Sequence, residues 1–465
     1  MAIEFPAPTT DALSTLPLAT PVDIVVALPA VNDGERERER SVAATPPLPA
    51  MKAVVIPSVR GLRTRHAAAP RSASSVPVLL ALIFVTGSAL SLVFLGPFDK
   101  WPPIASFLGS GSGGENDDVV TRGEWVRDPS AAPYYTNATC AYIEDYQNCM
   151  KHGRPSLEFL RWRWRPTAAG GGELDRFDAA RFFALVRGRS ILFVGDSLAS
   201  SHVRSLVCLL SQAEPPERDA RDAAGFERWR FPAHDFAVSF FWTPFQAVGP
   251  ERQGEVFAGT SDLHLDEPDA RWTSALAAQD FVVVSASHWF ARPAVYYRGG
   301  RAFGCHACTD RNLTSLKPAH AQRAAFRTVL RALAGTEGGF KGTAILRTMA
   351  PTHYENGGWF DGGECTATQP ADPEDPVEMA EPEAEFYRAQ AEEFRAAEAT
   401  ARRNGLRLRL MDVTHMMLRR PDGHPDRYGH GPGQHEGFDI DCLHWCLPGP
   451  IDVWNELLLQ ILADN

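Results

Sequence analysis

The chain has 465 residues, 44% of them hydrophobic and 10% aromatic, enough to bury one large core or two smaller ones and too apolar for a protein disordered throughout. Its formal net charge of −11 argues against a nucleic-acid partner, because phosphate binding needs a basic face, and is compatible with a neutral substrate.

Residues 1–76 are rich in Ala, Pro, Arg and Ser, include the alternating run Glu35–Arg40 and lack apolar periodicity, which predicts a disordered cytosolic tail. Residues 77–96 contain the uncharged run Val78–Leu95, long enough to span a bilayer. Lys52, Arg60, Arg63, Arg65 and Arg71 precede it, against Asp99 and Lys100 after it, so the positive-inside rule puts the N-terminus in the cytosol and the remainder in the lumen. A cleaved signal peptide would lie unusually far from the N-terminus, and a core helix would show a polar face. The segment is therefore read as the signal anchor of a single-pass type II membrane protein. Residues 97–122, with the Gly/Ser-rich stretch Gly109–Gly114, are the stem, and residues 123–465 the lumenal domain.

All eight cysteines follow the apolar run, as do two glycosylation sequons at Asn137 and Asn312, the pattern of a secretory lumen. Cys305-x-x-Cys308 with Cys442 and Cys446 also has the residue types of a zinc site, and the first pair alone has the spacing of a redox motif; a lumen favours disulfides, whose connectivity spacing does not fix.

Within the lumenal part, Ser190–Val194, Phe281–Ser285, Thr343–Arg347 and Leu406–Met411 read as buried strands, and Phe236–Pro244 as one more. Helical stretches fall at Leu198–Leu210, Ala319–Leu333, Glu381–Arg403 and Ile451–Leu462, the third a partly solvated surface helix to which no chemistry is assigned. Strands alternating with helices predict an α/β fold with a central parallel sheet covered on both faces, and ligands at the carboxyl ends of its strands. Ser197, His288, Trp289, Arg347 and His353 all fall at such ends.

The first strand runs into Gly195-Asp196-Ser197, the glycine letting the backbone leave the strand sharply. The N–H groups of the helix that follows suit a developing oxyanion. Far downstream, Asp441-Cys442-Leu443-His444 offers an imidazole and a carboxylate. A serine hydroxyl needs an adjacent base near neutral pH, and that base needs a third group to fix its tautomer. Gly-Asp-Ser alone also fits an ordinary helix cap; the two motifs together, in the order Ser, Asp, His, point to acyl transfer. The loop His424–His435 carries three histidines, but its Gly and Pro content predicts a mobile loop, and serine chemistry needs no metal.

Tyr134–Pro166, Arg176-Phe177, Gly195-Asp196-Ser197, Arg347-Thr348 with Ala350-Pro351-Thr352-His353, and Asp441–Asn455 together resemble the plant trichome birefringence-like proteins, from about Gly123 to the end of the chain. The resemblance implies a Golgi polysaccharide O-acetyltransferase with an SGNH/GDSL-hydrolase-like lumenal domain and a triad of Ser197, His444 and Asp441. Ser287–Phe290, Pro293–Tyr297 and Gly304-Cys305 are more similar to the xyloglucan-acetylating branch than to the xylan branch, with mannan-acetylating relatives nearby. The implied chemistry is ping-pong through an acetyl-serine, with no bound cofactor and acetyl-CoA as the ultimate acetyl source. His444 would take the Ser197 proton and Asp441 would hold the imidazole. Oxyanion or substrate contacts would come from Gly195, Asp196, Arg204, His288, Trp289, Arg347 and His353, and Trp445 is either a glycan contact or core packing. Family analogy pairs Cys140 with Cys208.

Three departures from the family stand out. The cysteines usual before Gly-Glu-Trp-Val and before Arg-Phe-Asp are absent, which fits loss of one whole disulfide. Ser200-Ser201 stands where the family has Gly-Asp-Ser-x-x-Arg-Asn, removing a cation near the nucleophile; Arg204, one turn further, is either its substitute or a solvated helix residue. Two other readings compete, a carbohydrate acetylesterase with the same catalytic residues and an inactive glycan-binding scaffold.

Overall fold

A computed structural model describes residues 122–464 apart from 168–173, 250–258, 311, 336–338, 360 and 432–439. The expected tail, the anchor at 77–96 and the linker up to residue 121 lie outside the described residues, among which no helix is long and apolar enough to cross a membrane.

The described chain opens with the antiparallel pair β1 (Gly123–Arg127) and β2 (Trp162–Pro166). Helix α1 (Ala179–Val186), capped by the Asp178 carboxylate, leads to β3 (Ser190–Gly195) and α2 (Ser197–Ser211). Then come β4 (Glu217–Asp219), β5 (Phe226–Phe231), β6 (Phe236–Trp242), β7 (Ala247–Val248), β8 (Ser261–Pro268), the short α3 (Ala270–Thr273) and β9 (Phe281–Ser285). The hairpin β10 (Ala294–Arg298) and β11 (Arg301–His306) is followed by β12 (Thr314–Ser315), α4 (Pro318–Ala334), β13 (Thr343–Arg347), α5 (Glu383–Arg403), β14 (Arg407–Met411), α6 (Thr414–Leu418) and α7 (Val453–Ala463).

A seven-stranded sheet runs in the order β14-β13-β9-β3-β6-β5-β4. Its first five strands are mutually parallel. The expectation of a purely parallel sheet is corrected at the far edge, where β5 and β4 add antiparallel. The cause is local: Pro232–His234 and Asp235, at φ 48°, reverse the chain tightly between β5 and β6, and so short a link allows only antiparallel pairing. Beside it lies a second mixed sheet of five strands, β12-β11-β10-β8-β7, which the sequence reading did not anticipate.

The parallel strands are continuously apolar because both faces are covered. Ile191, Phe193, Phe281, Val283 and Ile345 join the core that holds α2 and α7. Their alternates Leu192, Val194, Val282, Val284 and Leu346 join the core under α4 and α5. The chain leaves β3 to one side for β6 and returns to the other for β9, so the strand order switches at β3, where an open α/β sheet leaves a crevice at its carboxyl edge.

Candidate active site

Ser197 is the first residue of α2, directly past the end of β3. Asp196 is buried and is the N-cap: Oδ1 accepts from the Leu198 and Ala199 N–H groups at 3.0 and 3.4 Å, and Oδ2 accepts from the Ser287 N–H at 3.1 Å. Its carboxylate thus ties the strand ends together rather than facing substrate. A Cβ at residue 195 would lie 1.9 Å from the Ser285 carbonyl oxygen and 2.9 Å from the Ala199 Cβ. Close approach of β3 to β9, not a turn conformation, is what requires Gly195.

His444 comes from the other end of the chain. Its Nε2 lies 2.8 Å from Ser197 Oγ and its Nδ1 2.7 Å from Asp441 Oδ2. An ionised carboxylate only accepts, so Nδ1 carries the hydrogen and Nε2 is left to accept from the serine hydroxyl. Asp441 Oδ1 accepts the N–H groups of Leu443 and His444 at 3.0 and 2.9 Å, closing the turn on itself. Burial pushes the Asp441 carboxyl up, but the charge of His444 and hydrogen bonds from the His444 ring and the two amides outweigh it and hold the group below its ordinary value.

This turn is fixed on every side. Disulfides link Cys442 to Cys365 and Cys446 to Cys149. The His353 N–H donates to the Cys442 carbonyl at 3.1 Å, the Leu447 N–H to the Gln147 carbonyl at 2.9 Å, and Asp441 and Asp426 exchange backbone hydrogen bonds. The Tyr146 ring packs edge-on against the His444 imidazole, centroids 4.8 Å apart. All eight cysteines are paired, Cys140 with Cys208 and Cys305 with Cys308 completing the set, which overturns the zinc alternative. Asn137 and Asn312 are exposed.

The hydroxyl, imidazole and carboxylate open onto a cleft of about 1330 Å³ whose lining includes Trp242, Trp289, Trp359, Tyr354, Glu378 and Glu381. Trp289 meets Trp242 edge to face at 5.6 Å and carries the Arg292 guanidinium 4.3 Å above its ring. His288 borders the cleft, its Nε2 2.8 Å from the Ala350 carbonyl oxygen and its Nδ1 3.7 Å from Glu383.

Of the other expected contacts, Arg204 and His353 also border the cleft, whereas Arg347 is not among its lining. Arg204 is neither a solvated residue nor a partner of Ser197: it is buried, bonded to Glu227 at 2.9 Å and Glu144 at 2.7 Å, with its guanidinium over the Trp229 ring. Its guanidinium is therefore engaged by the two carboxylates and the indole rather than by Ser197. Arg347 is fully buried, donating to Ser285 Oγ at 2.6 Å over the Trp454 ring. Desolvation lowers its pKa to about 10, opposed by the negative charge of Asp196. Trp445 is wholly buried against His424, which settles it as core. His424 too is buried and hydrogen-bonded, so the expected mobile loop is anchored at its start; His435 lies outside the described residues.

The sequence reading placed α5 as a helix but assigned it no role, and so missed its polar contacts to the loops at the site. Gln390 accepts from the Met349 N–H and donates to the Ala286 carbonyl, at 2.8 and 3.0 Å, while Glu383 accepts from the Thr352 N–H and hydroxyl. These bonds hold the loops after β9 and β13. The available signal was polar residues inside the apolar stripe of Phe386, Tyr387 and Phe394.

A serine, an imidazole and a carboxylate in one hydrogen-bonded row on an α/β fold form an arrangement able to carry out acyl-group chemistry on esters. The chain belongs to the GDSL/SGNH-like acyl-esterase family found in Pmr5 and Cas1p, which matches residues 174–461, with the Pmr5 N-terminal domain matching residues 118–169. It is 44% identical to protein trichome birefringence-like 19 of Arabidopsis thaliana over 74% of this chain and 80% of that one. It is 40% identical to xyloglucan O-acetyltransferase 1 of the same plant, over 74% and 79% of the two chains. Xyloglucan O-acetyltransferase 4 of Populus trichocarpa matches at 40% identity over 73% and 80%.

Proposed function

We propose that this chain transfers acetyl groups to hydroxyls of a plant cell-wall polysaccharide, xyloglucan ahead of mannan or xylan, through an acetyl-serine at Ser197. The observation that carries the reading is the unbroken row Ser197 Oγ, His444, Asp441 opening onto an aromatic-walled cleft. His444 Nε2 takes the hydroxyl proton as Oγ attacks the acetyl carbonyl; the proton passes to the leaving group of the donor, and acetyl stays on the serine. A sugar hydroxyl then gives its proton to Nε2, attacks the acetyl-serine and releases Oγ, which is reprotonated. Asp441 stabilises the imidazolium formed twice per cycle.

The oxyanion falls to the start of α2. Asp196 already occupies the Leu198 and Ala199 amides, which leaves the Ser197 N–H, at the positive end of the helix, as the donor for the tetrahedral intermediate. The aromatic walls suit the faces of neutral sugar rings. The names of the xyloglucan O-acetyltransferases support the choice of polymer, and the apolar run at 77–96 supports a type II Golgi membrane protein acting in the lumen on acetyl groups that come ultimately from acetyl-CoA.

An acetylesterase would use the same row of residues and differ only in admitting water to the acetyl-serine. Incubating the full chain with an acetyl donor and xyloglucan, mannan or xylan oligosaccharides distinguishes the cases. A new ester on xyloglucan is the expected product. Free acetate alone would make it an esterase, and absence of both a glycan-binding scaffold. Ser197→Ala abolishes either product; turnover that survives the substitution defeats the nucleophile assignment.

A further inference from the structure

Two histidines outside that row meet beside its base, His353 at the wall of the cleft. His353 Nδ1 lies 2.7 Å from His424 Nε2. On their far sides, His353 Nε2 lies 3.0 Å from the Leu418 carbonyl oxygen and His424 Nδ1 lies 2.7 Å from the carbonyl oxygen of His444 itself. A carbonyl oxygen only accepts, so each of those two outer nitrogens carries a hydrogen. Were both rings neutral, the inner nitrogens would then confront each other as bare lone pairs across 2.7 Å. Turning either ring over would set a carbon against a carbonyl oxygen and forfeit a hydrogen bond in a buried place.

We propose that His353 and His424 share one proton between their inner nitrogens, carry one positive charge as a pair, and act as positioning residues that pin the His444 backbone. Asp422 and Arg420 face His353 and bond each other at 2.8 Å, so their charges largely cancel. Asp441 and Arg154 face His424 with opposite sign, and the Trp445 ring lies with its centroid 4.0 Å from the His424 ring, where an aromatic face favours a cation. The contact between the inner nitrogens holds the shared proton against burial, which lowers the basicity of both rings, His353 to about 4 and His424 well below its ordinary value, with charge on His353 adding to the shift of His424. That excludes a second proton on the pair. The first is counted once for two rings and replaces a contact that would otherwise be repulsive.

The charge itself does not depend on the catalytic reading; its consequence for His444 does. With the proton in place, Leu418, His353, His424 and His444 form one continuous hydrogen-bonded chain. When the proton leaves to solvent as pH rises the inner nitrogens repel, the bond from His424 to the His444 carbonyl loosens, and the base loses its alignment with Ser197.

The test labels the histidine rings of the full chain with nitrogen-15. At neutral pH three of the four ring nitrogens of this pair are expected to be protonated, with one strongly deshielded hydrogen coupled to both rings; two singly protonated, neutral rings would overturn the proposal. This spectrum is read on the unsubstituted protein, so it does not depend on any variant folding. In acetyl transfer, kcat of the natural chain should fall on the alkaline side, and His353→Gln, whose amide needs no shared proton, should shift or lose that limb while KM changes by less than about threefold. An unchanged profile would refute the positioning role. Ser197→Ala in the same assay reports on the serine chemistry alone: activity retained there defeats that reading and leaves the proton count standing.

Discussion

Replacing Asp441 by Asn separates the orientation of the base from the shape of its turn. One carboxylate oxygen accepts the His444 Nδ1–H at 2.7 Å, and the other accepts the Leu443 and His444 amides at 3.0 and 2.9 Å. Asparagine keeps the volume and, with its carbonyl oxygen toward the amides, keeps the turn. Its NH2 then faces Nδ1 and forces the hydrogen onto Nε2, the tautomer that cannot accept from Ser197. Wrong-tautomer variants of such triads lose about ten-thousandfold in kcat, or about 5 kcal/mol of transition-state stabilisation. The loss in folding stability should stay near 1–2 kcal/mol, because only one hydrogen bond is inverted. The Asp441 carboxyl titrates below its ordinary value in the folded chain, so its contribution to stability is complete above the unfolded carboxylate range and is lost as pH falls through the lower, folded value. The Asn variant should lack that acid-side loss. Initial rates of acetyl transfer, with denaturant titrations run in parallel, provide the assay. A folded variant within tenfold of the natural kcat would refute the assignment of Asp441 as the orienting group.

Gly195→Ala places a methyl 1.9 Å from the Ser285 carbonyl oxygen and should cost about 3 kcal/mol through forced separation of two strands, read as a lowered Tm; an unchanged Tm contradicts the close approach. Replacing both Cys365 and Cys442 by Ser opens a closure spanning 77 residues, so denaturant titration should show a loss of about 4 kcal/mol, with a fall in kcat as the His444 turn gains freedom. Asp452 is buried and accepts from Ser205, Tyr135 and the Gly449 amide, yet burial dominates and raises its carboxyl to about 6. A raised folded pKa stabilises below the unfolded value of 3.8 and loses that contribution as pH climbs through about 6. Relative to Asp452→Asn, the natural chain should therefore lose about 3 kcal/mol between roughly pH 4 and pH 7, measured by urea unfolding; parallel curves would refute it.

The strands at the centre of the molecule were legible because burial on two faces leaves nothing but apolar side chains, as in Phe281–Ser285 and Thr343–Arg347. The helix after Ser197 was legible from its cap. The second sheet was not: β8 reads Ser-Asp-Leu-His-Leu-Asp-Glu-Pro, whose two leucines among charged and polar residues are too few to mark a strand by hydrophobic period. Ser197, Asp441 and His444 could be picked out by residue type, whereas the fate of Arg204 depended on Glu144 and Glu227, which no local pattern links to it. His424 misled for a related reason. Its Gly- and Pro-rich surroundings signal mobility, while its real partners, His353 and the His444 carbonyl, are distant in sequence.

The order of synthesis gives the crosslink between Cys149 and Cys446 a further meaning. The two cysteines stand 297 residues apart, and His444 follows Ser197 by 247, so a chain emerging from the ribosome presents the serine long before the imidazole that meets it. The row of hydroxyl, imidazole and carboxylate therefore cannot assemble until the turn that carries Asp441 and His444 has been made and folded against the earlier part of the chain.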